Sequence, residues 1–388
     1  MEGVFFFFKT HIKILSYEVR AMLKDERVFL KPLTGIRAIA AFLVFLYHYN
    51  IFVPQKDKLS AWGIIDELHI GVTLFFVLSG FLITYRYYDR HHEIFTKRFY
   101  IKRFARIYPL FFILTSLTYI HLLINGQSLD FGLLRAYLLN ISLLSGFFNE
   151  LKFSGIPQAW SLTVEELFYL STPILFFFLK KKLSNAIIIC LSLLLLGGLF
   201  IGLGNWFTMP YGFFDSMEFM LTYTFFGRCL EFIIGMLLAI FYLKNKVRLL
   251  RGKYNYKSYL GLFATFGSVL LLVFLSLNGG AHQLYYKHLT ITFLLPVFGI
   301  APLYLGLITE KTIIASILSS KLFQLLGKAS YAFYLIHLGF IASFLANIIP
   351  HTLGLFIVLN ILAILLYLII EQPLNKRIKL RFKNKNSL

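Results

Sequence analysis

What this 388-residue sequence has least of is charge: Asp, Glu, Lys and Arg together make up 14% of it, against about 25% in soluble domains. The acidic share is the smaller, 18 residues against 38 basic ones. No polar stretch is long enough for a separate soluble domain, so the shortage argues against an attached aqueous unit as well as a soluble fold. Cysteine is confined to Cys190 and Cys229, both inside apolar runs and without CxxC or metal-ligand spacing. That excludes a disulfide scaffold and a metal module and leaves packing as their use. The N-terminal segment does not read as a secretory leader either. Residues 5–30, from Phe5 to Phe8 through Lys9, Lys13, Arg20, Lys24 and Arg27, lack the basic start, apolar middle and small-residue exit of one. The segment reads as an amphipathic helix on the cytoplasmic membrane face.

What is there is apolar. Hydrophobic residues make up 58% of the chain, with 44 Phe and 23 Tyr, and the mean hydropathy is +0.74. The expected class is an all-α polytopic membrane protein, with aromatic belts and one membrane domain over residues 31–373 between an N-terminal segment, 1–30, and a basic tail, 374–388. Ten spans are predicted, at 32–53, 70–88, 104–124, 163–180, 185–203, 222–243, 258–277, 288–308, 329–349 and 353–371. Residues 133–148 are apolar but short, and read as a re-entrant or interfacial helix. The net charge of +20 does not point to nucleic acid, because the basic residues sit at the edges of spans and act as topology signals. Most of them fall in alternate loops. Those loops are therefore expected in the cytoplasm with both termini.

The stretch Arg37 to His48 sets the functional reading. Its two ionisable side chains are eleven residues apart, so they return to within about 20° of one helix face with a rise of roughly 16 Å. Charge at depth in lipid costs at least a few kcal/mol, so such residues face a protein interior or a wet cavity. A polar cavity is therefore expected at the centre of the helices. Ser79-Gly80 is a small pair suited to close helix packing, with Ser79 also able to line that cavity. Arg103 and Arg106 are three apart on one face, where they can close on a single anion. The Arg donor fork suits phosphate.

Further along, Trp160-Ser-Leu-Thr-Val-Glu-Glu166 leads into an apolar span. Ser161 or Thr163 is a fitting N-cap with Glu165 or Glu166 in the first turn; alternatively one carboxylate serves structure while its neighbour, about 100° round the helix, faces the cavity. Arg228 and Glu231 are three apart and read as a buried ion pair. Ser330, Tyr334 and His337 make a polar stripe at i, i+4 and i+7. Asn360, Tyr367 and Glu371 share a face of the last span.

Taken in order, Arg37 to His48, Phe75-Phe-Val-Leu-Ser-Gly-Phe-Leu-Ile83, Arg103-x-x-Arg106-Ile-Tyr-Pro109, Trp160 to Glu166 and Ser330-Tyr-x-x-Tyr-Leu-x-His337 resemble the acyltransferase-3 family. These integral membrane acyltransferases O-acetylate bacterial cell-surface sugars. Thr163 and Leu167 stand where that family often has Ser and Gln. With no SGNH hydrolase domain after Glu371, a stand-alone member is expected. The resemblance implies an enzyme of the bacterial inner membrane that moves an acyl group, usually acetyl, from cytoplasmic acetyl-CoA or another acyl-CoA to a hydroxyl of a surface or lipid-linked carbohydrate, with no metal. It places the CoA phosphates on Arg103 and Arg106. His48 is then a general base or an acyl-carrying nucleophile, Arg37 stabilises the donor thioester or its oxyanion, and Glu165 or Glu166 orients the acceptor. His337 is a secondary candidate with a structural alternative.

The rival class is a transporter or flippase, since intramembrane Arg, His and Glu also mark substrate pathways. Against it, the sequence shows no internal repeat and no paired Gly/Pro-broken spans. A non-catalytic scaffold leaves the Arg37–His48 wall without a purpose.

Overall fold

The computed structural model describes residues 28–49, 63–250, 255–278 and 280–384. The N-terminal segment expected as an interfacial helix lies outside the described residues up to 27, as does the loop carrying Lys56 and Lys58. Among the described residues the regular elements are helices. In chain order the long ones are α1 (Lys31–His48), α2 (Gly71–Tyr87), α3 (Lys97–Ile124), α4 (Phe131–Ile141), α5 (Trp160–Lys181), α6 (Asn185–Trp206), α7 (Phe225–Leu250) and α8 (Lys257–Leu277). They continue with α9 (Gln283–Thr309), α10 (Lys321–Ile336), α11 (Phe340–Ile348) and α12 (Thr352–Phe382).

Among the described residues eight helices are long and apolar enough to cross a membrane, and a ninth crossing is counted if the bent pair α10–α11 is one span. The span predicted over 32–53 holds the 18-residue α1, which ends at His48 and is not among those eight. The span predicted over 329–349 falls on this bent pair and is not a single straight helix. The chain turns by 93° between α10 and α11, at Gly339, whose φ of 86° lies in the left-handed region open to glycine. The ambiguous stretch near 133–148 holds α4, eleven residues long and too short to cross. Asp130 caps it, its Oδ1 accepting from Leu133 N at 2.7 Å. Buried Asn140 fastens its far end by donating to Tyr119 Oη and Ser154 Oγ.

Burial orders the helices. About three quarters of the apolar cores of α2 and α7 are covered by protein, 72% and 78%, against 11% for α6 and 17% for α12. The first two are the centre and the last two form the perimeter, which is apolar on all sides because lipid is its solvent. The α2–α7 crossing is close because it is built from glycine. A Cβ on Gly80 would stand 2.1 Å from Phe232 O, and one on Gly235 would stand 2.1 Å from Val77 O. Of the Ser79-Gly80 pair, then, Gly80 serves packing and Ser79 is left to face elsewhere. Phe232 of α7 continues the contact, stacked between Phe76 and Phe168.

α1 lies against α2 on one side and α10 on the other. At its start Gln324 Nε2 donates to Lys31 O at 2.8 Å. Tyr331 Oη reaches from α10 to Ile107 O of α3 at 2.7 Å, and Tyr304 Oη from α9 to Leu74 O of α2 at 2.8 Å. Glu310, just beyond α9, accepts from the backbone N–H groups of Lys257 and Ser258 at 2.8 and 2.9 Å. It satisfies orphan donors at the start of α8 and places negative charge at the positive end of that helix.

The α2–α7 crossing gives a direct test. Gly80→Val forces its side chain into the Phe232 carbonyl, so it should lower stability by about 1 to 3 kcal/mol or more. Thermal unfolding in detergent should show a clear drop in midpoint. A similar change at Gly198, whose surroundings are open, should have little effect.

Candidate active site: a polar path between two cavities

Three cavities follow one another through the helices and share lining residues. At the basic end lies a cavity of about 350 Å³ lined by Arg37, Arg86, Arg103, Arg106, Lys328 and Glu371, among others. At the opposite end lies one of about 540 Å³, where His48, Glu67, His69, Trp160, Tyr223 and Lys287 meet. A narrow middle cavity of about 60 Å³ is lined by Arg37, Ser79, Arg103, Arg106, Glu165 and Tyr169. It shares Arg37, Arg103 and Arg106 with the first, and Val72 and Tyr334 with the second. The helix ends around the first cavity are those predicted to be cytoplasmic from their charge. The expected central polar cavity is therefore a chain of three.

Most of the expected site residues fall on this path. Arg37 donates from Nε to Ser330 Oγ at 3.4 Å and lies 5.9 Å from the centre of the Phe75 ring. Arg103 stacks on Phe99 and Tyr169, at 5.5 and 5.4 Å to the ring centres, and its Nε has no hydrogen-bond partner. Arg106 lines the same two cavities one turn further along α3. Such a site offers cation and donors to a phosphate at the mouth of a narrow passage.

The adjacent glutamates take different positions. Glu165 faces the middle cavity, accepting from Ser79 Oγ at 2.7 Å and from Tyr169 Oη. Glu166, about 100° round α5, is not among the lining residues of the three cavities. The N-cap reading of this stretch does not hold. α5 begins at Trp160 after Ala159, without a side-chain cap. Thr163 Oγ1 donates instead to Leu143 O at 2.8 Å, and Ser161 Oγ to Gln158 O at 3.0 Å. The reason is that the short helical turn Pro157–Ala159 runs straight into α5, leaving no extended capping position.

In the opposite-end cavity His48 is exposed at the end of α1. Its ring lies 4.6 Å from Tyr47 and 5.5 Å from His337. The polar stripe of α10 is intact: Ser330 meets Arg37, Tyr334 Oη lies 2.9 Å from Ser161 Oγ, and His337 meets His48. Sequence reasoning missed Glu67, His69, Tyr223 and Lys287. Glu67 is 3% exposed, and one of its oxygens accepts from Lys287 Nζ at 2.9 Å and from Ser276 Oγ. The signal was available in Asp66-Glu67-Leu68-His69, an acidic and imidazole cluster next to a span in a chain short of acids.

Arg228 and Glu231 form the buried pair that their spacing predicted. Nε and Nη2 of Arg228 meet the two carboxylate oxygens at 2.6 and 2.8 Å, and Nη2 also donates to Thr73 Oγ1 of α2 at 3.1 Å. Both side chains are shielded, 4% and 0% exposed. Cys229 beside them is buried, and both thiols are free. Among the described residues no cluster of His, Cys, Asp or Glu is arranged to hold a metal ion.

These features define a polytopic all-α membrane protein whose core carries a row of neighbouring cavities, basic at one end and imidazole-bearing at the other. An acyltransferase-domain family model, that of acyltransferase-3, matches residues 31–371, and the chain belongs to that family. It is 27% identical over 337 residues to a provisionally named O-acetyltransferase of Staphylococcus aureus (strain COL), covering 81% of this chain and 51% of that protein. It is 30% identical over 187 residues to the peptidoglycan O-acetyltransferase OatA of Listeria monocytogenes, covering 44% of this chain and 28% of OatA. Nodulation protein 10 of Rhizobium leguminosarum is 28% identical over 180 residues, 41% of this chain and 48% of that one. The chain spans about half the length of the Staphylococcus relative. No solved structure matches it.

The Arg228–Glu231 pair can be tested apart from any activity. Arg228→Met leaves a buried carboxylate without its partner and should cost about 3 to 5 kcal/mol. Adding Glu231→Met should recover much of that loss, read as the detergent unfolding midpoint of both variants.

Proposed function

We propose that this chain is a membrane O-acyltransferase of the bacterial cytoplasmic membrane, with acyl-CoA as donor, acetyl-CoA foremost, and a carbohydrate hydroxyl as acceptor. The observation that carries the reading is the succession of three cavities that share lining residues, with Arg37, Arg103 and Arg106 at one end and His48 at the other. On this reading the basic end is cytoplasmic, and CoA phosphates rest on Arg103 and Arg106. A thin thioester-bearing arm suits the narrow middle cavity. The aromatic walls of the opposite cavity, Tyr47, Trp160 and Tyr223, suit the faces of sugar rings. The relatives named as O-acetyltransferases support the same class.

In the reaction His48 takes the proton of the acceptor hydroxyl as its oxygen bonds to the thioester carbonyl carbon. The carbon–sulfur bond then breaks, and His48 returns the proton to the leaving thiolate. Arg37 lies roughly 16 Å of helix rise from His48, so it serves the charged part of the donor and not the oxyanion. Glu165 holds Tyr169 by its hydroxyl, with Arg103 stacked on the ring, and so orders the donor passage. A transporter would use the same path, but would need no base at its far end.

Two expected outcomes check the halves separately on purified protein. His48→Ala should lower acyl transfer by about 10²- to 10⁴-fold with acyl-CoA binding retained. Near-normal turnover would remove His48 from the chemistry. For the donor, Arg103→Gln or Arg106→Gln should weaken acyl-CoA binding about tenfold or more, as expected for a lost charged hydrogen bond. The same change at Lys97 or Arg98 should do much less, and equal small effects at all four would make the arginines topology anchors.

A further inference from the structure

His337 is fully buried, yet one of its ring nitrogens has no partner. Nδ1 lies 2.8 Å from Tyr334 O. A carbonyl only accepts, so Nδ1 carries the hydrogen and Nε2 is a bare lone pair. That Nε2 is shut off from solvent and makes no hydrogen bond with any described residue. Buried polar atoms are rarely left so, and each case calls for a cause. The ring cannot easily turn to satisfy it. It lies parallel to Phe333, with 7° between planes, and the carbonyl that holds it also accepts from Gln158 Nε2. The chain then bends at Gly339 into α11, fixing the end of α10 at this point.

His48 is the neighbour that fits. The two imidazoles have centres 5.5 Å apart with their planes tilted by 40°, and His48 lines the opposite-end cavity, which His337 does not. His69 makes its ring contact with Tyr47 instead, at 5.5 Å. We propose that His337 is a positioning residue: its Nε2, unbonded in this structure, is the acceptor toward which the neighbouring His48 ring turns its N–H, so that the second nitrogen of His48 is held as the lone pair facing the acceptor hydroxyl. The proposal rests on His48 being the base. A base is useful only in the tautomer that presents its lone pair to the proton it removes, and a fixed acceptor behind the ring selects that tautomer. As His48 becomes positively charged, its hydrogen bond to His337 becomes charge-assisted and strengthens. The gain belongs to the transition state, so it appears in kcat and not in donor binding.

The test combines a spectrum with kinetics. In protein labelled with 15N in its histidines, and assigned by single His replacements, native His48 should show one tautomer and a through-hydrogen-bond coupling to His337. His337→Leu should give averaged tautomers at His48, with kcat down at least tenfold and the KM for acyl-CoA within twofold of native. His337→Gln, whose amide oxygen also accepts, should recover several-fold of the lost kcat. A native His48 without a preferred tautomer overturns the proposal even if no variant folds. So does His337→Leu with kcat within twofold of native, or Leu and Gln variants equally impaired. If His48→Ala itself keeps near-normal turnover, it is the base assignment that fails, a result distinct from these.

Discussion

Lipid offers an ion neither water nor counterion, and a charged side chain at mid-depth costs at least a few kcal/mol unless protein or trapped water replaces them. The core meets that demand in two ways. Arg228 is neutralised on the spot by Glu231 and braced by Thr73, and this pair, 4% and 0% exposed, is part of the scaffold. Arg37, Arg103 and Arg106 border cavities that Glu165 and Glu371 also line, with a hydroxyl or aromatic faces beside two of them. Where charge is left open in this way, the helices have to stand apart to keep a cavity beside it. The rest of the architecture is organised round that gap.

The gap survives because other contacts are unusually close. The glycines at the α2–α7 crossing let two backbones touch on one side, while Ser79, next in the chain to Gly80, turns to Glu165 on the other. A small-residue pair thus does packing and cavity lining from adjacent positions, as the 100° step of a helix allows. The bend between α10 and α11 works similarly. It ends α10 at His337, bringing a buried imidazole beside the end of α1. A straight span would have carried the chain past that point.

On the proposed reading, donor and acceptor enter from opposite cavities and meet only where the thioester end of the donor reaches His48. The donor's charged head stays at the basic mouth, its arm enters the narrow middle, and the acceptor waits beyond Tyr334. Because Arg37 and His48 ride on the same helix, their separation is fixed by α1 itself and not by loop motion. This division fits a reaction whose two substrates approach from opposite faces of a membrane.

Much of this was legible in the sequence. Membrane helices satisfy their own backbone hydrogen bonds and must be apolar over a set length, so hydropathy alone located the eight long apolar helices. Helical spacing put Arg37 and His48 on one wall, paired Arg228 with Glu231 and aligned Ser330, Tyr334 and His337, since those relations are local. What the sequence could not give depends on distant segments meeting. Which of Glu165 and Glu166 faces the passage was decided by Ser79 of α2 and Tyr169. That Ser161 and Thr163 do not cap α5 follows from how the loop before it folds. The break at Gly339 was hidden inside an apolar run. The company of Glu67, with Lys287 some 220 positions away, has no local signature: periodicity specifies a helix face, and only the packing of the bundle decides what that face meets.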